Sequence, residues 1–150
     1  MILDTNALSA VADDEPAVVR VYRQAASMEL PVIVLGEYRF GIGQSRRRSE
    51  YEKWLRELIA ATRVLEIEEE TSRHYAGIRA ALKKAGRPIP SNDLWIAALC
   101  RQHRLQLLSQ DQHFDAVEGL ERVGWLCKWV DSGDAWIAQH PWTQTAGLLA

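Results

Sequence analysis

Four acidic side chains hold the chemical interest of this sequence. Asp4 directly follows the apolar run Met1-Ile2-Leu3, Glu37 stands two residues past Leu35, Asp111 stands three past Leu108, and Asp93 opens the helical segment that follows Ser91-Asn92. Taken singly, each has an ordinary structural explanation, because Asp and Asn favour strand-to-helix turns and an acid in a helix's first turn is stabilised by the helix dipole. Gathered in one crevice, they imply more. Crowded carboxylates repel, and they stay charged only where protons or cations neutralise them. Hard oxygen donors with no accompanying Cys and no His cluster select Mg²⁺ or Mn²⁺ over zinc. One or two such ions, retaining waters, supply an activated hydroxide and shield a phosphate's charge. The implied chemistry is hydrolysis of a phosphoester.

The elements that must position these acids follow from the apolar pattern. Short runs at Met1-Ile2-Leu3, Val32-Ile33-Val34-Leu35, Val64-Leu65-Glu66-Ile67 and Leu105-Gln106-Leu107-Leu108 read as strands, with a weaker fifth around Leu126 to Val130. Helix-period segments separate them. One spans 16 to 29, opened by acids and Pro16, with Val18, Val21, Tyr22 and Ala25 on one face. A second spans 50 to 62, where Ser49 and Glu52 read as a capping box and Tyr51, Trp54, Leu55, Leu58 and Ile59 form an apolar stripe. A third spans 69 to 85, turns Thr71, Tyr75, Ile78 and Leu82 inward and ends at Gly86. A fourth runs from Pro90-Ser91 to about His103. Strands alternating with helices long enough for crossovers predict one α/β domain, with a mainly parallel sheet of about five strands and helices on both faces. In such sheets ligands bind at the carboxyl ends of the strands, where Asp4, Glu37 and Asp111 are expected.

Composition narrows the classes further. The 150 residues carry 18 basic and 20 acidic side chains, a net charge of -2, which excludes a protein that coats nucleic acid by bulk charge. Residues 129–150 contain Asp131 and Asp134 but no Lys or Arg, and without the four candidate acids the bases outnumber the remaining acids. The acidity is thus concentrated where cations should sit. Cys100 and Cys127 form no disulfide framework, which suits a reducing compartment, the cytoplasm. No apolar run approaches the roughly 18 residues of a membrane span, and no basic segment leads into a signal-peptide core, so neither membrane insertion nor secretion is expected.

The segments Met1-Ile2-Leu3-Asp4-Thr5-Asn6-Ala7-Leu8, Gly36-Glu37-Tyr38-Arg39-Phe40-Gly41-Ile42, Asn92-Asp93-Leu94-Trp95-Ile96-Ala97-Ala98 and Leu108-Ser109-Gln110-Asp111-Gln112-His113-Phe114 resemble the four acidic motifs of PIN-domain ribonucleases, above all the VapC-type toxins of toxin–antitoxin pairs. The resemblance spans residues 1 to about 130 in order and spacing. It implies a PIN-like three-layer sandwich over 1–130, leaving 131–150 as a Trp-containing extension that is docked or disordered. It further implies an Mg²⁺- or Mn²⁺-dependent endoribonuclease, with Asp4 and Asp93 as principal metal ligands, Asp111 contributing directly or through water, and Glu37 orienting water or a second ion. Ser109 and Asn6 stand at the family's supporting polar positions. The implied partners are RNA, a cognate antitoxin and a second copy of the chain, with DNA reached only through the antitoxin.

The remaining polar signals are read against simpler roles. His113 is expected to start a short helix and pack with Phe114, and Ser109 to bond a ligand carboxylate or water, since no Ser-His-Asp set accompanies it. Arg46, Arg47 and Arg48 in the loop before the second helix suit phosphate contact, and Arg87 is a second candidate for that basic rim. Arg39 could equally be held in a structural ion pair. Trp125 and Trp129 are assigned to the last strand and core, Trp136 and Trp142 to a docking surface. Two rival functions remain. A phosphatase with an aspartyl nucleophile wants a second acid two residues after the first, where this chain has Asn6. A catalytically silent module binding RNA or protein would need none of the four acids.

Overall fold

The computed structural model of the protein describes residues 1–125. The fifth strand expected near Leu126, together with Cys127, Trp129, Trp136, Trp142 and the extension 131–150, lies outside the described residues.

The order of elements is β1 (Ile2–Leu3), α1 (Thr5–Ala12), α2 (Pro16–Gln24), β2 (Glu29–Pro31), α3 (Val32–Ile42), α4 (Arg48–Ala61), β3 (Arg63–Leu65), α5 (Glu69–Lys84), α6 (Ser91–His103), β4 (Leu107–Leu108), a 3₁₀ turn (Gln112–Ala116) and β5 (Arg122–Val123). The five strands form one sheet in the order β3-β2-β1-β4-β5, every pair parallel, with Ile2 level with Leu107 and Leu3 with Leu108. The α/β sandwich expected from alternation is present. Its strand order carries a further consequence: the chain builds outward from β1 on one side, then crosses to build on the other. The order therefore reverses between β1 and β4, and their carboxyl ends diverge into a crevice there.

The strands are short, and the central three, β2, β1 and β4, are wholly buried. Ile2, Leu3, Leu30, Leu107 and Leu108 are inaccessible to solvent, each such side chain contributing roughly 1.5–3 kcal/mol of burial. Helix faces close over them as the periodicity predicts: Thr71, Ile78 and Leu82 of α5 are buried, and Tyr51 and Leu55 of α4 point inward while Trp54, Leu58 and Ile59 pack at the margin. Gly86 takes the left-handed conformation (φ 67°) that ends α5, and α6 begins and ends where Pro90-Ser91 and His103 place it. Trp125 is buried, with its indole N–H donating to Glu15 Oε1 at 3.0 Å. Among the described residues no helix is long and apolar enough to cross a membrane.

Three local expectations are corrected. Val32-Ile33-Val34-Leu35 is the start of helix α3, and the strand lies just before it at Glu29–Pro31. A short apolar run fits a buried strand or a buried helix equally well, and Pro31, extended at φ -61° and ψ 139°, ends the one and opens the other. Val34, Leu35, Tyr38 and Ile42 then form the buried face of α3. Second, the helix expected over 16–29 stops at Gln24, where Ala25 turns extended, and Glu29 belongs to strand β2. Third, Ser49 and Glu52 do not form a capping box, because α4 starts at Arg48; the reciprocal box forms at α5, where the Glu68 N–H donates to Thr71 Oγ1 at 3.0 Å.

Candidate active site

Asp4 sits at the end of β1 with 4% of its surface exposed. Its Oδ1 accepts the Thr5 N–H at 2.7 Å as the cap of α1, while Oδ2 accepts from Ser109 Oγ at 2.6 Å and from Asn6 Nδ2 at 2.9 Å. Ser109 is the residue immediately after β4, fully buried, so this bond spans the point where the strand order reverses. The Asn6 amide is the second clasp. Its Nδ2 also faces Asp111 Oδ2 at 3.1 Å and Ser109 Oγ at 3.2 Å, and its Oδ1 accepts the Gln110 N–H at 3.2 Å, which fixes the amide's orientation. Asp111 N–H in turn donates to Ser109 Oγ at 3.0 Å. Asp4 and Asp111, 107 positions apart in sequence, thus share one donor.

Glu37 and Asp93 complete the set from the helices. As α3 is a helix, Glu37 projects from its second turn, and its carboxylate is held by Thr5 Oγ1 at 2.5 Å and by Asn92 Nδ2 at 2.6 Å. Asp93, in the first turn of α6, has Oδ2 2.6 Å from His113 Nε2, at ion-pair distance although the ring N–H is not aligned for a linear hydrogen bond. His113 also packs on Phe114, ring centroids 4.8 Å apart, as its expected role required.

The acids sense one another. Burial pushes the Asp4 carboxyl up to about 7, the hydrogen bonds from Ser109 and Thr5 pull it down, and the charges of Asp93 and Asp111 raise it again. Burial likewise pushes Asp93 up to about 6, opposed by His113 and assisted by Glu37 and Asp111. All four carboxyl groups therefore belong to one electrostatic cluster in which protons and cations compete for the same oxygens.

The donor set fits a hard divalent ion of limited protein coordination. Among the described residues no three His, Cys, Asp or Glu side chains stand as a ready-made cage, and Asn6, Ser109, Thr5, Asn92 and His113 contact the carboxylate oxygens. Mg²⁺ is typically held by one or two carboxylates and several waters, so an open cluster of this kind suits it better than a closed cage would.

The expected basic rim is only partly assembled. Arg47 is bound to Glu50 at 2.7 and 3.0 Å and lies 5.0 Å over the Tyr51 ring, whose hydroxyl donates to Asp13 at 2.7 Å. Asp13 ends α1, and the eight residues of that helix span about 12 Å, so the Arg46–Arg48 loop is anchored at the end of α1 away from Asp4. Arg39 pairs with Glu52 at 3.6 Å. Arg87 lies within electrostatic reach of Asp115 in the 3₁₀ turn, on the side of the crevice that holds His113. Thr5, Asn92 and the Asp93 contact of His113 were not foreseen; Thr5 and Asn92 adjoin motif acids, the one signal that pointed toward them.

Known proteins share this fold. The PIN domain family profile matches residues 1–120. Ribonuclease VapC5 of Mycobacterium tuberculosis is 31% identical over 94 residues, covering 61% of this chain and 70% of that protein. The crystal structure of VapBC2 from Rickettsia felis, bound to a promoter DNA fragment, superposes with a TM-score of 0.76 at 20% identity over 83% of this chain and 98% of that one. VapBC-1 from nontypeable Haemophilus influenzae superposes with a TM-score of 0.70 at 26% identity, covering 82% and 96%. With the four acids clustered where β1 and β4 part, the chain belongs to the PIN-domain family as a VapC-type member.

Proposed function

We propose that the chain is an Mg²⁺- or Mn²⁺-dependent endoribonuclease, a cytoplasmic toxin held in check by a cognate antitoxin. The observation that carries this reading is the clasp of Asn6 and Ser109, which draws Asp4 and Asp111 together beside Asp93 and Glu37. Asp4, Asp93 and Asp111 are the side chains that would hold the ion. When bound, such an ion acidifies a water and offsets phosphate charge.

The protein's own groups do the positioning. Asn6 and Ser109 set the carboxylates of Asp4 and Asp111 before substrate arrives, so little reorganisation remains for the reaction. Glu37, locked by Thr5 and Asn92, accepts a hydrogen bond from the attacking water and aims it in line with the scissile bond. Water adds at phosphorus and the 3′-oxygen leaves, giving a 5′-phosphate and a 3′-hydroxyl. The relatives named as VapBC complexes support an antitoxin partner, and a homodimer is part of the same reading.

The test is incubation of the purified, antitoxin-free chain with structured RNA in Mg²⁺ or Mn²⁺, with chelator and Asp4→Asn controls. Metal-dependent incision abolished by Asp4→Asn is expected. Absence of incision on every RNA tried would favour the silent binding module, a reading consistent with the carboxylates' being satisfied by protein donors.

A further inference from the structure

Beside the acidic crevice lies a cleft of about 360 Å³ bounded by Arg79, Leu82 and Lys83 of α5, Ile89 of the connecting segment, and Ser91 and Leu94 of α6. Its floor is apolar and its wall cationic. Arg79 and Lys83 stand one turn apart on α5 and share a face. Among the described residues neither pairs with a carboxylate, whereas Arg73 and His74, nearer the start of the helix, are matched to Glu69 and Glu70. The Arg79 guanidinium is instead propped by Tyr75, donating to its hydroxyl at 3.2 Å and lying 5.9 Å from the ring centre, which orients the charge without neutralising it. Lys83 near the end of α5 also suits the helix dipole, but Arg79 lies more than a turn further in, where that effect has faded.

The cleft and the crevice share the first turn of α6. Ser91 lines the cleft, Asn92 bonds Glu37, and Asp93 faces His113. A polyanion approaching four carboxylates is repelled unless neighbouring cations take up its flanking phosphates. An apolar floor with a few directed polar groups in about this volume accommodates a small-molecule-sized ligand, here one nucleotide.

We propose that this cleft seats the nucleotide next to the scissile phosphodiester, its backbone phosphate against Arg79 and Lys83, so that single-stranded RNA enters the crevice over the junction of α5 and α6. The inference rests on the ribonuclease reading. It also moves the main RNA contact from the Arg46–Arg48 loop to α5.

The experiment measures binding of a short fluorescein-labelled single-stranded RNA by anisotropy across a salt series, in Mg²⁺, with the full chain carrying Asp4→Asn to prevent cleavage. Adding Arg79→Ala and Lys83→Ala together should raise Kd roughly tenfold and lower the slope of log K against log salt by about 0.7 per lost contact. Lys53→Ala, an exposed cation on α4, serves as the control and should change neither. The milder Lys83→Gln should give a smaller loss with the melting temperature unchanged. Affinity and slope equal to the Asp4→Asn parent, or an equal loss with Lys53→Ala, would overturn the cleft assignment while leaving the ribonuclease reading intact. A parent that binds no single-stranded RNA would likewise overturn the cleft assignment, while the ribonuclease reading stands or falls on the cleavage of structured RNA.

Discussion

Ser109 Oγ donates to Asp4 Oδ2 at 2.6 Å, a bond between residues 105 apart that closes the gap where β1 and β4 diverge. This bond lowers the Asp4 carboxyl against the larger effect of burial. Ser109→Ala should therefore push Asp4 above about 7 and move the acid limb of the cleavage profile to higher pH. Loss of the buried hydrogen bond should also cost about 1–2 kcal/mol in denaturant unfolding. An unchanged pH profile would remove Ser109 from its positioning role.

Asp4 and Asp93 should contribute most to the stability of the metal-free chain at acid pH. Folding holds a proton on Asp4 up to about 7, whereas a carboxyl without the fold gives it up near 3.8, so the folded state binds more protons between those values. The stability contributed is complete below the lower value and is lost as pH rises through about 7, with Asp93 adding the same trend up to about 6. Melting in chelator at a series of pH values tests this. A chain whose pH dependence over that interval is the same with Asp4→Asn as without it would contradict the shift assigned to Asp4.

Divalent metal should reverse the trend, because an ion must displace those protons to bind. The gain in melting temperature on adding Mg²⁺ or Mn²⁺ should grow from about pH 5 to about pH 8. A gain independent of pH would place the ion away from Asp4 and Asp93.

Asp4→Asn should abolish cleavage and leave the fold intact. The amide keeps an oxygen to cap α1 but sets an NH₂ against the Asn6 Nδ2 donor, and it carries no charge to desolvate, so the melting temperature of the metal-free variant relative to the parent should rise from about pH 5 to alkaline pH. Circular dichroism melts at both ends of the range decide it. Retained cleavage would sink the assignment of Asp4.

His113→Phe preserves the ring packing on Phe114 but removes the nitrogen 2.6 Å from Asp93. His113 opposes the rise of Asp93, so the variant should carry Asp93 above about 6 and weaken metal binding on the acid side while altering stability little. Calorimetric Mn²⁺ titration at acid and alkaline pH distinguishes this from a packing role, which would leave the pH dependence unmoved.

Much of the fold was legible because its signals are local. Acids before α2 and Pro16 at its first position, Gly86 after α5 and Pro90 before α6 mark boundaries through backbone chemistry that needs no distant partner. Parallel pairing followed from crossover length, and Asp4, Asp93 and Asp111 were visible from their positions in the strand-helix alternation, whereas Glu37, expected just past a strand, stands within α3. Val32-Ile33-Val34-Leu35 was not legible as a helix, because an apolar run buried on all sides has no period to display and only Pro31 separates the two outcomes. The sequence by itself determined which side chains could do chemistry and that a parallel sheet would carry them. Tertiary structure alone decided that Asn6 spans Asp4 and Asp111, that Thr5 and Asn92 grip Glu37, and that Arg47 is bound to Glu50 away from the acids while Arg79 and Lys83 line a cleft beside them. Those relations depend on strand order and helix packing, which bring together residues far apart in the chain through contacts that no local pattern encodes.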